Sequence, residues 1–398
     1  MKKQINSVNK EIKKKKKTNY LLFNRFKKLI MICFLNFIFF NIKITKVKYN
    51  RKDALKSGRY FLNKCLEGLI IRNSSFKISK KPKISIIIPV YNSQKTIKSA
   101  IRSIQNQDMI NIEIILINDF SKDNSSKILE NIQKEDPRIK IINNNKNMGI
   151  LYSRCIGVLS SNGKYILNLD QDDMFLDEDI FNKLYRSAKK GNFDIISFIE
   201  VQGNNYYISP EKMIDGACTH HPEGLTVYQP ELSYYPFFKK ESFSNVDIQI
   251  WGKLFKAKIY KNAIYLLGKK RYSIFNTINE DMIALFAICN IAQSYKYIRI
   301  YGLFHFMSSS SASHTASNAH KFNMAIFFCD IIFDLSKNNN KKYAAIYAIK
   351  IFFKNYNFSD KIKINLFYVL KKIMDCKFIE VKYKQKLIKL YKELKTQH

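Results

Sequence analysis

The stretch that decides the fold runs from residue 84 to residue 173, and three of its segments read ISIIIPVYN (84–92), IEIILIND (112–119) and YILNLDQDD (165–173). Each segment is a short, continuous apolar run that ends in polar residues. Runs of this kind are typical of parallel strands that are buried on both faces. Helix-period spacing between the runs completes an alternation of strands and helices, which predicts a parallel sheet covered by helices.

The elements expected between residues 83 and 200 follow from this alternation. We predict strands at 84–88, 112–117, 139–142, 165–169 and 194–198, and helices at 96–104, 125–133, 150–159 and 179–188. After residue 200 the pattern loosens into loops, followed by a helix at 280–292 and a strand at 297–301. The expected fold class is therefore α/β, with a Rossmann-like, mostly parallel sheet and helices on both faces.

Changes in composition divide the chain into four regions. Residues 1–48 form a basic leader with a hydrophobic anchor, and residues 49–82 form a polar stem that is helical around 54–71. Residues 83–310 carry the α/β domain, and residues 316–398 form a helical C-terminal region with amphipathic patterns at 322–335, 342–353, 361–374 and 381–394. These C-terminal helices can pack on the domain, pair with another chain or lie on a membrane.

The leader contains an apolar run at 29–42, LIMICFLNFIFFNI, preceded by many lysines. The run is shorter than the ~20 residues of a spanning helix. No small-residue cleavage site follows it, which favours an uncleaved signal-anchor over a signal peptide. We predict membrane association with the N-terminus in the cytosol and the α/β domain in a lumen. A helix on the membrane surface, a soluble leader and a cytoplasmic location remain open.

The net charge of +36 arises from 68 Lys and Arg against 32 Asp and Glu. Such a charge is compatible with a nucleic-acid-binding protein. Lysine, asparagine and isoleucine are abundant throughout, however, as in an AT-biased coding sequence, and no stretch forms a recognisable nucleic-acid-binding motif. We therefore expect no nucleic-acid partner. The seven cysteines contain no CxxC pair, which argues against structural zinc.

The strongest local signal is the acidic cluster Asp170-Gln171-Asp172-Asp173, directly after a predicted strand. Ligands of open α/β sheets bind at the carboxyl ends of the strands, so a site is expected here. Crowded carboxylates repel one another unless a cation neutralises them, and Mg²⁺ or Mn²⁺ completed by phosphate oxygens fits this donor set. The alternative is a solvated acidic turn that caps the next helix.

The strand ends form an ordered set. It consists of Pro89-Val90-Tyr91-Asn92, then Asn118-Asp119-Phe120-Ser121, then Asn147-Met148-Gly149 with Ser153-Arg154, and then the acidic cluster. In order and spacing the set resembles family-2 glycosyltransferases, closely over residues 83–200. The resemblance continues more loosely to about 310 through Trp251–Phe255, Asn279-Glu280-Asp281 and Tyr301–His305. It implies a GT-A type fold.

The resemblance also implies roles for the matching residues in binding the donor. Pro89 and Tyr91 would surround the nucleobase, and Asp119 would accept a hydrogen bond from it. Arg154 would face the diphosphate, although it could equally be a surface charge. Asp170 would approach the ribose or the metal, and Asp172 would bind the metal that bridges the phosphates. Asp173 is left as either an orienting residue or a helix cap.

Two more residues complete the implied reaction. Asp281 matches the Glu-Asp motif of the family and would be the base that takes the acceptor proton, although Glu280 and Asp281 would also suit a helix N-terminus. Trp251 would stack on the acceptor sugar or pack in the core. His305 and His314 could supply a third metal ligand, but a lone histidine there is more often structural.

The implied function is a metal-dependent, inverting transfer of a sugar from a nucleoside-diphosphate sugar, UDP-sugar above all, to a hydroxyl of a glycan, glycolipid or glycoprotein. Asn118, Phe120 and Cys155 depart from the family pattern, which usually has Asp, Gly and Asn there, and put the nucleotide preference in doubt. The alternatives are a catalytically degenerate nucleotide-sugar-binding module and a basic nucleic-acid-binding protein. A nucleotidyltransferase would have a glycine-rich loop after the first strand, and residues 89–94 contain no glycine.

Overall fold

The computed structural model describes residues 51–68, 76–206, 212–215, 223–229, 249–276 and 280–307, together with isolated positions at 232 and from 324 to 388. The predicted anchor in 1–48 lies outside the described residues. The predicted C-terminal helices do as well, apart from those isolated positions. None of the helices in the described part of the chain has the length and apolar character that a membrane span requires.

The described elements alternate as the sequence predicts up to residue 203. The strands are β1 Ile84–Val90, β2 Ile112–Asn118, β3 Ile139–Asn143, β4 Tyr165–Asn168, β5 Met174–Phe175, β6 Ile195–Gly203, β7 Ile214–Asp215, β8 Thr226–Tyr228, β9 Lys253–Lys256 and β10 Ser294–Phe306. The helices are α1 Arg51–Leu66, α2 Ile97–Gln105, α3 Ser125–Glu135, α4 Ile150–Leu159, α5 Ile180–Gly191, α6 Ala257–Leu267, α7 Lys269–Tyr272 and α8 Glu280–Ile291.

These strands form one mixed sheet in the order β3-β2-β1-β4-β9-β6-β10-β5. The strands β3, β2, β1 and β4 are parallel, and β10 is parallel to β6. Strand β9 runs antiparallel between β4 and β6, and β5, β7 and β8 also pair antiparallel. The α/β class is confirmed, but the expected mostly parallel sheet is corrected to a mixed one.

Helices cover both faces of the sheet, as predicted. Alternate residues of β1 face two separate apolar clusters, because successive side chains of a strand point to opposite faces. Helices α2, α3 and α5 contribute to the cluster that contains Ile86 and Ile88. Helices α1, α4, α6 and α8 contribute to the cluster that contains Ile87. Both faces of β1 are therefore sealed from water, and its polar end is left at the edge of the sheet.

Helix α1 departs from the sequence interpretation, which placed it in a separate stem. Its residues Leu55, Phe61, Leu62 and Cys65 are buried in the core cluster on the α4 face. Arg51 donates from Nε to Asp215 Oδ1 at 2.9 Å, which joins the start of the helix to β7. Helix α1 is thus an integral part of the folded unit.

The stretch after residue 200 contains more regular structure than the sequence indicated. Strand β9 and helix α6 follow one another directly between Lys253 and Leu267, where loops were expected. Strand β10 is also longer than the predicted strand at 297–301 and reaches Phe306. The β9 strand fills the centre of the sheet and carries a fully buried lysine, Lys253, at a position where an apolar residue would normally mark a strand.

Candidate active site

The polar ends of β1, β2 and β4 meet at one edge of the sheet. Their register pairs Val90 with Asn118 and Ile87 with Asn168, so the residues that follow each strand emerge side by side. Tyr91 donates its backbone N–H to Gln171 Oε1 at 2.7 Å, and Gln171 Nε2 donates back to the Tyr91 carbonyl at 3.1 Å. This amide pair fastens the acidic cluster to the loop after β1.

Asp119 lies at this edge and holds the loop that leads into α4. Its Oδ1 accepts hydrogen bonds from Asn144 Nδ2 at 2.7 Å and from the Met148 N–H at 2.8 Å. Its Oδ2 accepts from the Gly149 N–H at 2.8 Å. Among the described residues only this N–H donates to Oδ2, and a carboxylate oxygen can accept two hydrogen bonds, as the predicted nucleobase contact requires. Asp119 therefore shapes the loop whether or not a ligand is bound.

The two departures from the family pattern beside Asp119 have distinct structural consequences. Asn118 Nδ2 donates to Ser126 Oγ at 2.8 Å and to Asn143 Oδ1 at 3.0 Å, which an aspartate could not do. Phe120 has a φ of 63°, in the left-handed region where the family has glycine. A non-glycine residue there costs roughly 1–2 kcal/mol. Asn118 is thus accommodated by its contacts, whereas Phe120 is strained.

Arg154 is the centre of an ion cluster beneath the edge. It projects from α4 and is fully buried, which rules out the alternative of a surface charge. Its Nη2 lies 3.1 Å from Asp170 Oδ1, 3.7 Å from Glu280 Oε1 and 3.7 Å from Asp281 Oδ1. Arg154 Nε and Nη1 have no hydrogen-bond partner in the part of the chain that the structure describes. The cluster unites the loop after β4 with the start of α8.

The acids of this cluster outnumber their cation, and burial makes each charge more costly. Desolvation by burial raises the pKa of Asp281 well above its ordinary value; the neighbouring Glu280 raises it further, while Arg154 opposes the shift. Burial likewise raises the pKa of Glu280. Asp281 Oδ1 has no hydrogen-bond partner among the described residues. A carboxylate of raised basicity, with an oxygen that accepts no hydrogen bond from the described residues, has the properties of a general base.

The second half of the acidic cluster is organised by β10. Asp173 is fully buried and accepts hydrogen bonds from His305 Nδ1 at 3.0 Å and from the Phe306 N–H at 2.9 Å. Asp173 is thus bonded to β10, and Asp179, not Asp173, precedes α5; an orienting role for Asp173 stays a prediction. Although burial favours the neutral ring, the Asp173 carboxylate raises the pKa of His305 to about 10. His314 lies outside the described residues.

Asp172 combines burial with neighbouring negative charge. Desolvation, then the charges of Asp173 and Asp170, raises its pKa to about 7. Within the described residues no three acidic, histidine or cysteine groups converge as a ready metal site. Mg²⁺ and Mn²⁺ nevertheless need only one or two carboxylates when phosphate oxygens and water complete the coordination. The surplus negative charge at Asp170 and Asp172 therefore fits a divalent cation.

The remaining two predicted residues lie at the margins of the site. Pro89 is within β1, buried and opposite Ile117, so it supports the Tyr91 loop from below. The Trp251 indole stacks on His305, with ring centroids 4.8 Å apart and an interplanar angle of 14°. One indole face is thus covered by protein, and Trp251 also packs against both core clusters. Its role in acceptor binding stays a prediction.

The chain is similar to known proteins in sequence and in fold. Residues 85–261 match the family described as Glycosyl transferase family 2. The chain therefore contains a family-2 glycosyltransferase domain. It is 28% identical over 226 residues, 54% of this chain and 71% of the relative, to GalNAc(5)-diNAcBac-PP-undecaprenol beta-1,3-glucosyltransferase of Campylobacter jejuni. It is 26% identical over 334 residues, 80% of this chain and 85% of the relative, to the cholesterol galactosyltransferase of Borreliella burgdorferi.

Solved structures extend the similarity to the fold. The glycosyltransferase superposes on S. aureus TarS 1–349 in complex with UDP-GlcNAc with a TM-score of 0.55. The superposition covers 74% of this chain and 81% of TarS, at 16% sequence identity. At that identity the likeness shows the fold alone, and it confirms the expected GT-A type architecture.

Tyr206 is a residue of this glycosyltransferase site that sequence reasoning missed. Its hydroxyl donates to the backbone carbonyl of Asp172 at 2.6 Å. Its ring stacks on Phe306, with centroids 4.3 Å apart and an angle of 12°. Arg59 of α1 donates from Nη1 to the Tyr206 carbonyl. No motif marks Tyr206, because its hydroxyl binds a backbone carbonyl and the fold brings it to the site.

The Tyr206 hydroxyl should help to hold Asp172 in place. We expect Tyr206→Phe, which keeps the stacked ring, to lower the free energy of unfolding by about 0.5–1.5 kcal/mol. We also expect it to raise the Mn²⁺ concentration for half-maximal activity by up to about 10-fold, as for residues that orient metal ligands. The measurements are urea unfolding and Mn²⁺ titration of the initial rate. Tyr228→Phe, at a tyrosine that is 56% exposed, is the control; an unchanged Mn²⁺ dependence in Tyr206→Phe would contradict this role.

Proposed function

We propose that the glycosyltransferase moves a sugar from a UDP-sugar to a hydroxyl of a lipid or glycan acceptor, with a divalent metal and with inversion at the anomeric carbon. One observation carries the proposal: Arg154 Nη2 lies 3.1 Å from Asp170 and 3.7 Å from Asp281. Arg154 thereby joins the donor-binding loop, which contains Asp170, to the candidate base Asp281 in one buried cluster. In a single displacement the leaving group departs while a base takes the acceptor proton, so the binding site of the leaving group and the base must lie close together.

Each residue of the site has a separate role in this displacement. Asp119 and Tyr91 bind the nucleobase, and Asp170 and Asp172 would hold Mn²⁺ or Mg²⁺ against the diphosphate. When bound, the metal stabilises negative charge on the departing nucleoside diphosphate. Asp281 takes the proton from the acceptor hydroxyl as its oxygen bonds to the anomeric carbon and the bond to the diphosphate breaks. Arg154 holds the side chains of Asp281 and Asp170 in place relative to one another.

The donor and acceptor classes draw on the named relatives. TarS was crystallised with UDP-GlcNAc, which supports a UDP-sugar as donor. One relative is named for an undecaprenol-linked glycan and another for cholesterol, which supports a lipid or lipid-linked acceptor. A lipid acceptor also agrees with the proposed signal-anchor in residues 1–48 and with a luminal, membrane-associated domain. These last two points rest on the sequence.

A donor screen on the full-length protein tests the proposal. We expect one UDP-sugar to be cleaved to UDP with Mn²⁺ or Mg²⁺, and we expect EDTA to abolish the release and added metal to restore it. The substitution Asp172→Asn should also abolish the release of UDP. Asp177→Asn is the matched control, since Asp177 lies nearby in the chain, between β5 and α5, but pairs with Lys183. Metal-dependent binding of UDP-sugars without turnover would instead indicate a degenerate module, and no binding of any sugar nucleotide would reject the proposal.

A further inference from the structure

Three hydrogen bonds join the loop after β1 to the loop after β2. The Asp119 N–H donates to the Val90 carbonyl at 2.8 Å. The Asn92 N–H donates to Ser121 Oγ at 3.1 Å, and the Lys122 N–H donates to Asn92 Oδ1 at 2.8 Å. These contacts hold the loop that contains Tyr91 against the loop that contains Phe120.

Each of these two loops carries an exposed aromatic residue. Tyr91 is 41% exposed and Phe120 is 40% exposed. They lie at the carboxyl edge of the parallel strands, where ligands of such sheets bind. Rings of this kind offer stacking faces to a flat heterocycle. A pair of exposed rings at this edge therefore suits a planar ligand group.

Phe120 has a backbone conformation that is costly for any residue other than glycine. Its φ of 63° is one that glycine would adopt freely, and its ring remains substantially exposed. The Lys122 ammonium lies 3.5 Å from the centre of the ring, so it occupies one ring face. Strained conformations of this kind cluster at ligand-binding sites. The exposed remainder of the ring is thus the part that would have a function.

We propose that Phe120 is a nucleobase-contacting residue, which forms with Tyr91 an aromatic cleft for the base of the nucleoside-diphosphate donor. The inference rests on the proposed function, since it places the nucleotide at this edge. It assigns to Phe120 a stacking contact that glycine cannot make, so that this departure from the family pattern determines how tightly the base is held. The base meets the side of the ring that Lys122 leaves open.

Isothermal titration of the full-length protein with UDP in the presence of Mn²⁺ tests this contact. We expect Phe120→Gly to weaken UDP binding by roughly 5-fold or more, since stacking one base on an aromatic ring has about that effect. Phe120→Leu should weaken it similarly, because it keeps the bulk but loses the aromatic face. Phe120→Tyr should retain wild-type affinity. Inorganic pyrophosphate with Mn²⁺ should bind all four proteins equally, because it has no base.

The thermal unfolding of the same variants separates a binding role from a structural one. Phe120→Gly should unfold at the wild-type temperature or above, because glycine relieves the backbone strain, whereas Phe120→Leu should gain nothing. A Phe120→Gly protein that binds UDP as tightly as the wild type would overturn the inference, and so would equal losses for UDP and pyrophosphate. Wild-type protein that binds neither UDP nor another nucleoside diphosphate would reject the proposed function and this inference with it.

Discussion

Asp281→Asn is expected to lower kcat by about 10²- to 10⁴-fold, the usual contribution of a general base. The asparagine has the same size but cannot take the acceptor proton. The KM for the donor should stay within a few-fold of wild type, because Asp281 is assigned to the acceptor. Initial rates of transfer, measured at saturating donor and metal, give both constants. An Asp281→Asn enzyme with wild-type kcat would exclude Asp281 as the base.

Stability provides an independent check on this variant. Burial and Glu280 raise the pKa of Asp281, so its ionised form is unfavourable in the folded state, and asparagine removes that cost. The melting temperature of Asp281→Asn should therefore equal or exceed that of the wild type. Asp179→Asn is the matched control, since Asp179 lies at the N-terminus of α5, outside the Arg154 cluster. It should leave kcat unchanged.

Arg154→Gln is expected to destabilise the protein by about 3–5 kcal/mol, the usual result of removing one partner from a buried ion pair. Asp170, Glu280 and Asp281 would then share a buried site without their cation. Urea unfolding measures the loss. The control is Arg102→Gln: Arg102 is also buried, but its partner Glu135 is half exposed and remains solvated. A loss no greater than that of Arg102→Gln would contradict the central role of Arg154.

The unfolding free energy that Arg154→Gln loses should be smaller at low pH than at high pH. Arg154 lowers the pKa of Asp281 and of Glu280, so its removal raises both pKa values further in the folded state. A carboxyl whose folded pKa is raised contributes stability below its unfolded pKa of about 4 and loses it as the pH rises through the folded pKa. The difference in unfolding free energy between Arg154→Gln and wild type should therefore shrink as the pH falls.

The strand ends were predictable because they combine two local signals. Continuous apolar runs located β1, β2 and β4, and the polar residues after each run located Asp119 and the Asp170–Asp173 cluster. The parallel register then requires these ends to meet. Sequence alone could not decide whether Arg154 was buried, because a helix of ten residues offers a cation either to solvent or to the core.

The other parts of the site depend on contacts between distant segments. Tyr206 reaches Asp172, and His305 reaches Asp173, only because β6 and β10 are adjacent in the sheet. Strand β9 was missed because it has four residues, begins with a buried lysine and passes straight into α6. No turn signal or long apolar run marks it. Tertiary pairing, and not local propensity, makes it a strand.

The position of β9 has a consequence for the order of assembly during synthesis. The strands β3, β2, β1 and β4 can pair once residue 168 is available, but β4 then has an open edge. That edge pairs with β9, whose residue Lys256 lies opposite Tyr165. The nascent sheet therefore has an unprotected strand until some ninety further residues have been made, and such an edge invites association with other chains. Slow closure of long-range pairs makes this interval the vulnerable one in the folding of the chain.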